Sequence, residues 1–581
     1  MSLISRVPRN GHDRAPSGRV RPREWLFPIL LTAVILFLVW IPYRDAFRNS
    51  LPSRPFMGLV GISAIDDNNV YLGLMRQAAE GKVLFTNNFT PEPNRPILFN
   101  VLYLFLGRIS RLTGWSLDLT HRVFAAASTL LLVLSAYSFI AAGIRRPRYR
   151  RFALVIACLG GGFPFLARLV FQATGFNLRP VAPWLVEASL FHAMLVYPHF
   201  VFAAALLTSA LALLLKAERE RRFGPAIAGG CSVAVLAASH AFEAVVAIPA
   251  VLGYLLMDSL AKGRVVSRNR WKCAALVAGI PVPMMLLNQW ILSREPMWGD
   301  VVRRLDFYTP DPFRLVMAMG ASFFIVVLTF DGFLRGDRPA GERMAKVWLL
   351  ISLGLAYAPW INWRWHLING IQIPLSVLAT QGLRRTLFLR ILLHRRERAR
   401  QTGGRRWIPF SPALAAAMLV VLGACCLISR NLLLQYRDEV THVEYPTYLS
   451  SAEVAAMKWL SREVPPEALV LASYNTGNYV PRLSGQRVFL GEDKLTARME
   501  ERRSQVSRFF DAAESDAARQ ELLRRFGVDY VFYGPEERKL GPYDPARAPF
   551  LQSVFEENGV KVLRVEEAAG RVARSSATSV P

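Results

Sequence analysis

The chain has 581 residues, of which 52% are apolar and only 19% charged, with a formal net charge of +27. Soluble proteins carry roughly 25% charged residues, and here the apolar residues run in long blocks rather than at amphipathic spacing. That excludes an ordinary soluble enzyme, and blocks without polar–apolar alternation exclude an outer-membrane barrel.

In chain order, residues 1–24 form a basic tail with Arg6, Arg9, Arg14, Arg19, Arg21 and Arg23. The block 25–42 follows and leads into Tyr43-Arg44-Asp45 without a small-residue cleavage site, so it reads as an uncleaved first span. The loop 43–122 then carries Asp66-Asp67-Asn68-Asn69-Val70-Tyr71, an amphipathic stretch to Lys82, and the polar run 87–96 with Glu92 and Arg95. Within it, the apolar run of 96–110 is too short to cross a hydrocarbon core of ~30 Å. Were it to cross, every later basic loop would change sides, so it reads as an interfacial helix.

Further blocks at 123–143, 152–167, 200–215, 223–239, 242–257, 273–292, 315–333, 347–360, 367–383 and 408–428 are expected spans, about 11 in all. The segments 145–151, 216–222, 262–272, 335–346 and 384–406, with the tail, hold 33 of the 70 Lys and Arg, while the short loops between them hold five. Short basic loops stay in the cytoplasm. The charge is therefore a topology signal rather than a nucleic-acid face. The N-terminus is expected inside, and an odd span count places the C-terminal part outside the cytoplasmic (inner) membrane. The five cysteines all lie in apolar stretches and offer no disulfide framework.

Beyond 430 the composition becomes that of a soluble unit. Ser450 and Glu453 form a capping box ahead of a helix. Strand-like runs at 468–473, 487–491, 528–534 and 560–565 flank a long charged helix expected over 495–526. The expected fold is mainly α: a polytopic helical bundle over 25–429, a small α/β extracytoplasmic domain over 430–568, and a small polar tail over 569–581 that is expected to be disordered.

Asp66 and Asp67 are the residues best suited to chemistry. A carboxylate just outside a span can take a proton from an attacking hydroxyl, or hold a divalent cation such as Mg or Mn against a phosphate. Alternatively, Asp66 only caps a helix beginning near Asn68. Arg95, Arg294, Arg303, Arg304 and Arg364 fall on outer loops and could meet phosphate charge. Arg364 stands out because a guanidinium grips phosphate bidentately, whereas Trp363 and Trp365 beside it are typical interfacial anchors. His199 opens the fourth span, and His240 and Glu243 share a helical face at a hairpin corner. An ionisable pair at membrane depth points to function, although an internally satisfied corner pair explains it as well.

An acidic pair just after a first span, interfacial helices behind it, many spans and an outward C-terminal domain together resemble the GT-C integral-membrane glycosyltransferases. That class includes protein O-mannosyltransferases, oligosaccharyltransferases and aminoarabinose transferases. The resemblance implies catalysis by the acidic motif of the first outer loop and a sugar donor on a polyprenyl phosphate or diphosphate. It would make Asp66 and Asp67 catalytic, with Tyr71, Glu92, Arg95, His199, His240, Glu243 and Arg364 as substrate-binding candidates. Many relatives place the acidic pair three or four residues before a tyrosine. Here Asp67 and Asp66 precede Tyr71 by four and five, which leaves both open as the base. Segments like 474–479 and Gly491-Glu492-Asp493 recur in that class, yet turn formation accounts for them equally well, and no catalytic role is assigned there.

The leading expectation is thus an inverting transferase acting at the outer face on a glycan, lipid or protein acceptor. The competing readings are a non-catalytic scaffold, a transporter or flippase, and a polysaccharide polymerase or ligase. A transporter would show paired halves and midplane charges, and neither is legible.

Overall fold

The computed structural model describes residues 19–162, 172–175, 185–294, 301, 312–386 and 412–566. Hydrocarbon offers no water to satisfy backbone groups, so apolar blocks of this kind become helices. The first span is α1 (Leu26–Asn49), and the first loop contributes α2 (Ile62–Ala79) and α3 (Val101–Thr113). The bundle continues with α4 (Leu117–Gly143), α5 (Pro147–Leu159), the short α6 (Leu190–Val196), α7 (Pro198–Glu220), α8 (Phe223–Ser239) and α9 (Ala241–Lys262). Then come α10 (Arg268–Gly279), α11 (Val282–Arg294), α12 (Pro312–Thr329), α13 (Ala340–Ala356), α14 (372–386) and α15 (Pro412–Glu439).

Each expected span overlaps a helix among the described residues. Six stretches are long and apolar enough to cross a bilayer among the described residues: Pro22–Asn49, Leu117–Gly143, Pro198–Glu220, Ala241–Lys262, Arg268–Ile291 and Pro312–Thr329. Boundaries differ from the expectation where polar residues join helices. The span expected at 152–167 ends as helix at Leu159 and begins back at Pro147, and residues 163–167 lie outside the described set. Helix α13 starts inside the expected basic loop 335–346, burying Glu342, Arg343 and Lys346.

Helix α3 has 13 residues, about 20 Å of rise, too short to cross. The Asn100 side chain caps it by accepting from the backbone N–H groups of Leu102 and Tyr103. It packs on α2 so closely that a Cβ at Gly107 would lie 2.3 Å from the Met75 carbonyl. Its opposite face leaves Phe105 and Leu112 exposed, the pattern of an amphipathic helix on a membrane surface.

The C-terminal part holds α16 (Ser451–Glu463), β1 (Leu469–Leu471), β2 (Arg487–Val488), α17 (Met499–Phe510), α18 (Asp516–Phe526), β3 (Tyr530–Tyr533), β4 (Leu551–Glu557) and β5 (Val560–Val565). The Ser450–Glu453 capping box forms as expected. The sheet order is β2-β1-β3-β5-β4, parallel across β2, β1 and β3 and antiparallel beyond. Two expectations fail. The long helix over 495–526 is two helices, because α17 ends at Phe510 and Ser515 caps a new start by accepting from the Ala518 N–H. Strand β4 was not expected, although the Asn558-Gly559 turn joining it to β5 is a strong hairpin signal. The tail after 568 lies outside the described residues.

This part is not packed as a separate unit. Alternate strand residues face opposite ways, and Val470, Tyr530, Phe532 and Val562 share one core with Ile65, Leu72 and Met75 of α2 and Tyr103 of α3. Leu471, Val531 and Leu563 instead pack under Val506 and Phe509 of α17. The first-loop helices are thus the second layer of the C-terminal sheet, and the last bundle helix α15 runs on to Glu439 before that layer begins.

Candidate functional site

Helix α2 starts at Ile62 behind Gly61, whose φ of +85° leaves the helical region and whose added Cβ would meet Val196 at 2.8 Å. Asp66 and Asp67 therefore sit in the second turn. The reading of Asp66 as a cap for a helix beginning near Asn68 is corrected: neither carboxylate caps anything, and both project from an established helix.

Their neighbours come from both sides. Asn68 ties α2 to the bundle, its Nδ2 donating to the Ala64 and Val196 carbonyls at 2.8 Å each. The Tyr197 hydroxyl, on the bundle side, donates to Asp67 Oδ2 at 3.2 Å. From the C-terminal sheet, the Tyr474 hydroxyl donates to Asp66 Oδ2 at 2.9 Å. Buried Arg482 spans the seam, donating to Asn69 Oδ1 at 2.8 Å, the Met57 carbonyl at 2.6 Å and Asp118 at 2.5 Å. Tyr474 follows β1 and Glu492 follows β2, so both come from the carboxyl ends of parallel strands, where α/β sheets present their binding loops.

Charge is tight here. Buried Glu492 accepts from the backbone N–H groups of Lys494 and Leu495 at 2.9 Å each. Burial, followed by the charge of Asp67, pushes Glu492 up to about 8. Burial pushes Asp67 up to about 6, with Asp66 adding to the rise and Tyr197, His366 and Lys494 drawing it back. Asp66 is also raised, by burial and by Asp493, against the Tyr474 hydrogen bond. A carboxyl poised near neutrality is suited to proton transfer.

Beside the acids lies an aromatic and histidine wall. Tyr71 stacks on Tyr103 at 5.0 Å and meets the His199 ring edge-on at 4.4 Å. His199 is buried, and neither of its ring nitrogens has a hydrogen-bond partner. His240 lies 5.4 Å from His199 and 6.2 Å from His366 between ring centroids. Two of these rings are oriented by carboxylates: His240 Nδ1 with Glu243 at 2.5 Å and His366 Nδ1 with Glu187 at 2.7 Å. Asn369 holds the other Glu243 oxygen at 2.6 Å.

The structure thus gathers Asp66, Asp67, Tyr71, His199, His240 and Glu243. It places the others elsewhere. Glu92 is ion-paired to Arg502 at 2.6 Å and accepts from Thr90, a tie between the first loop and α17. Arg95 is exposed. Arg364 is half-buried and donates to the Ile361 carbonyl at 3.2 Å, while its neighbour His366 enters the wall. Exposed Arg294 lies over the Trp290 ring; Arg303 and Arg304 lie outside the described residues. Tyr474, Glu492, His366 and Glu187 were not among the expected site residues. Glu187 and His366 are far apart in sequence, and no local pattern pairs them.

Carboxylate oxygens suit Mg or Mn, but among the described residues no three His, Cys, Asp or Glu side chains converge to hold a metal.

A family of unknown function, DUF6541, matches residues 366–567. No curated protein matches the sequence. Among solved structures, the oligosaccharyltransferase AglB from Archaeoglobus fulgidus, in complex with an inhibitory peptide and a dolichol-phosphate, superposes with a TM-score of 0.52 at 13% identity, covering 86% of this chain and 69% of that one. The apo form of the Archaeoglobus fulgidus oligosaccharyltransferase gives 0.54 at 13% identity, covering 88% and 69%. ArnT from Cupriavidus metallidurans, bound to undecaprenyl phosphate, gives 0.50 at 13% identity, covering 94% and 98%. The fold is GT-C.

Proposed function

We propose that the chain is a glycosyltransferase that moves a sugar from a polyprenyl-phosphate carrier to a glycan, lipid or protein acceptor at the outer face of the cytoplasmic membrane, with inversion. The observation that carries this reading is the acid pair held from two sides, Asp67 by Tyr197 of the bundle and Asp66 by Tyr474 of the sheet. Support comes from the GT-C fold, shared with proteins solved with dolichol-phosphate and undecaprenyl phosphate.

In this reading Asp67 is the base. It takes the acceptor hydroxyl's proton as that oxygen bonds to the anomeric carbon. The bond from that carbon to the carrier phosphate oxygen breaks, and the phosphate leaves with the electron pair. A positioned base contributes 10²–10⁴ in rate. Asp66, fixed by Tyr474, orients the acceptor, while Lys494 and the histidine wall face the phosphate charge.

The test compares lipid-linked sugars and surface glycans in cells with the gene, without it, and with Asp67→Asn alone. One polyprenyl-phosphate sugar should accumulate in both defective strains and so identify the donor. If Asp67→Asn restores the normal glycans, Asp67 is not the base. If deletion changes no glycan, the scaffold reading replaces the enzyme.

A further inference from the structure

The end of the bundle away from Asp66 and Asp67 carries a cavity that the transfer reaction does not use. Helix α4 connects the two ends: Asp118 in its first turn pairs with Arg482 at the acid site, and Gly143 ends it beside the cavity. Its 27 residues separate the two by about 40 Å. The cavity measures about 240 Å³ and is lined by Arg145, Arg146, Tyr149, Arg338, Arg384 and Arg385. One water needs only about 10–15 Å³ by this measure, so the cavity has room for a phosphate group.

Its charges do not balance. Arg385 is matched by Glu342 at 2.5 Å and Asp331 at 2.9 Å, and Arg338 by Asp331 at 2.5 Å. Each of these two guanidinium groups still leaves its buried Nε without an acceptor. Arg384 donates only to Gln381, at 3.0 Å, and neither Arg384 nor Arg145 has a carboxylate partner among the described residues. Gln381 is itself fixed, its Nε2 donating to the Gly143 carbonyl at 2.7 Å. Among the described residues Asp337 is the one acid in the lining; its side chain is 69% exposed and it lies 3.5 Å from Arg338. Arg384, half-buried and fixed through its Nε, and exposed Arg145 present terminal guanidinium nitrogens of the kind that match the oxygens of a phosphate. The cavity also lies among the basic loop ends, the level at which anionic head groups sit against a helical bundle.

We propose that this cavity binds a phosphate group, carried either by an anionic phospholipid head group or by a soluble phosphorylated compound. The proposal is independent of the transfer reaction. The test uses the full-length protein in detergent micelles. Native mass spectrometry after exposure to equal phosphatidylglycerol and phosphatidylcholine reads the lipid source, and thermal unfolding of delipidated protein against inorganic phosphate and pyrophosphate reads the soluble one. Arg384→Gln and Arg145→Gln should each lower the affected signal by about tenfold. Arg264→Gln, an exposed charge in another basic loop, should leave it unchanged. Arg145 is exposed, so its variant decides the matter if Arg384→Gln does not fold. Selective lipid retention without phosphate stabilisation assigns the head group, and the reverse assigns a soluble compound. Equal retention of both lipids with no phosphate effect overturns the site, as does a loss in Arg264→Gln equal to that in Arg384→Gln.

Discussion

Buried acids at the two ends of this bundle are treated in opposite ways. Near the basic loops, Asp258 is fully buried and lies within ion-pair distance of Arg343, Arg270 and Lys262, at 2.5, 2.6 and 3.0 Å. Glu24 is held there by Arg150 at 2.8 Å and by the Tyr137 hydroxyl at 3.1 Å. At the other end, Asp66, Asp67 and Glu492 are met by phenols and backbone amides. A buried acid gripped by cations is fixed in its charged form and serves architecture. One left with neutral donors keeps a proton within reach of neutral pH, as active sites require.

The sharpest test of that contrast is to remove one charge at each end. Asp67→Asn should lower transfer by 10²–10⁴ without lowering thermal stability, and Asp66→Asn should lower transfer less. Equal losses at both positions would break the division of labour between them. Asp258→Asn should do the reverse. Three cations lose their shared partner, which costs about 3–5 kcal/mol of stability, yet the folded fraction should turn over normally. A turnover defect in properly folded Asp258→Asn would blur the contrast.

A smaller effect is expected at the seam. Tyr474→Phe removes one hydrogen bond to a carboxylate, about 1.5–3 kcal/mol at most, and should lower the turnover number by roughly tenfold without disturbing the shared core. An unchanged turnover number would make the C-terminal sheet a support rather than a contributor.

The smallest effect is in pH. Asp67 and Glu492 are both raised in the folded protein, so the protein holds their protons more tightly than the unfolded chain does. The stability this contributes is complete below about pH 4. It is lost as pH rises through about 6 for Asp67 and about 8 for Glu492. In the proposed reaction the base is ionised Asp67, so transfer should rise through about pH 6. Unfolding curves from pH 4 to 9 should therefore flatten in Asp67→Asn, and an unaltered slope would place the titration elsewhere.

The bundle was legible because lipid demands long apolar helices, and six of the expected spans fall on helices of that kind among the described residues. The acid pair was legible from its place after the first span. Its setting was not. Aspartate before an apolar run resembles a cap, whereas here Gly61 at φ +85° starts the helix five residues earlier. The break at 511–515 was hidden because Ala512, Ala513 and Glu514 are good helix formers; Arg519, donating to the Phe509 and Asp511 carbonyls, holds the chain in its turn. The pairing of His366 with Glu187, 179 residues apart, depends on the packing of helices and on no local rule.

The hydrogen bond between Tyr474 and Asp66 joins residues 408 positions apart. At translation rates of roughly 5–20 residues per second, the acid pair waits about 20–80 s on the ribosome before its tyrosine is made. For that interval α2 and α3 lack the sheet that covers their apolar face, and the bilayer surface is the nearest shelter for it. An unfinished chain thus has its acids but not their final geometry. A copy terminated before Tyr474 would carry the acid pair without its phenol partner from the sheet.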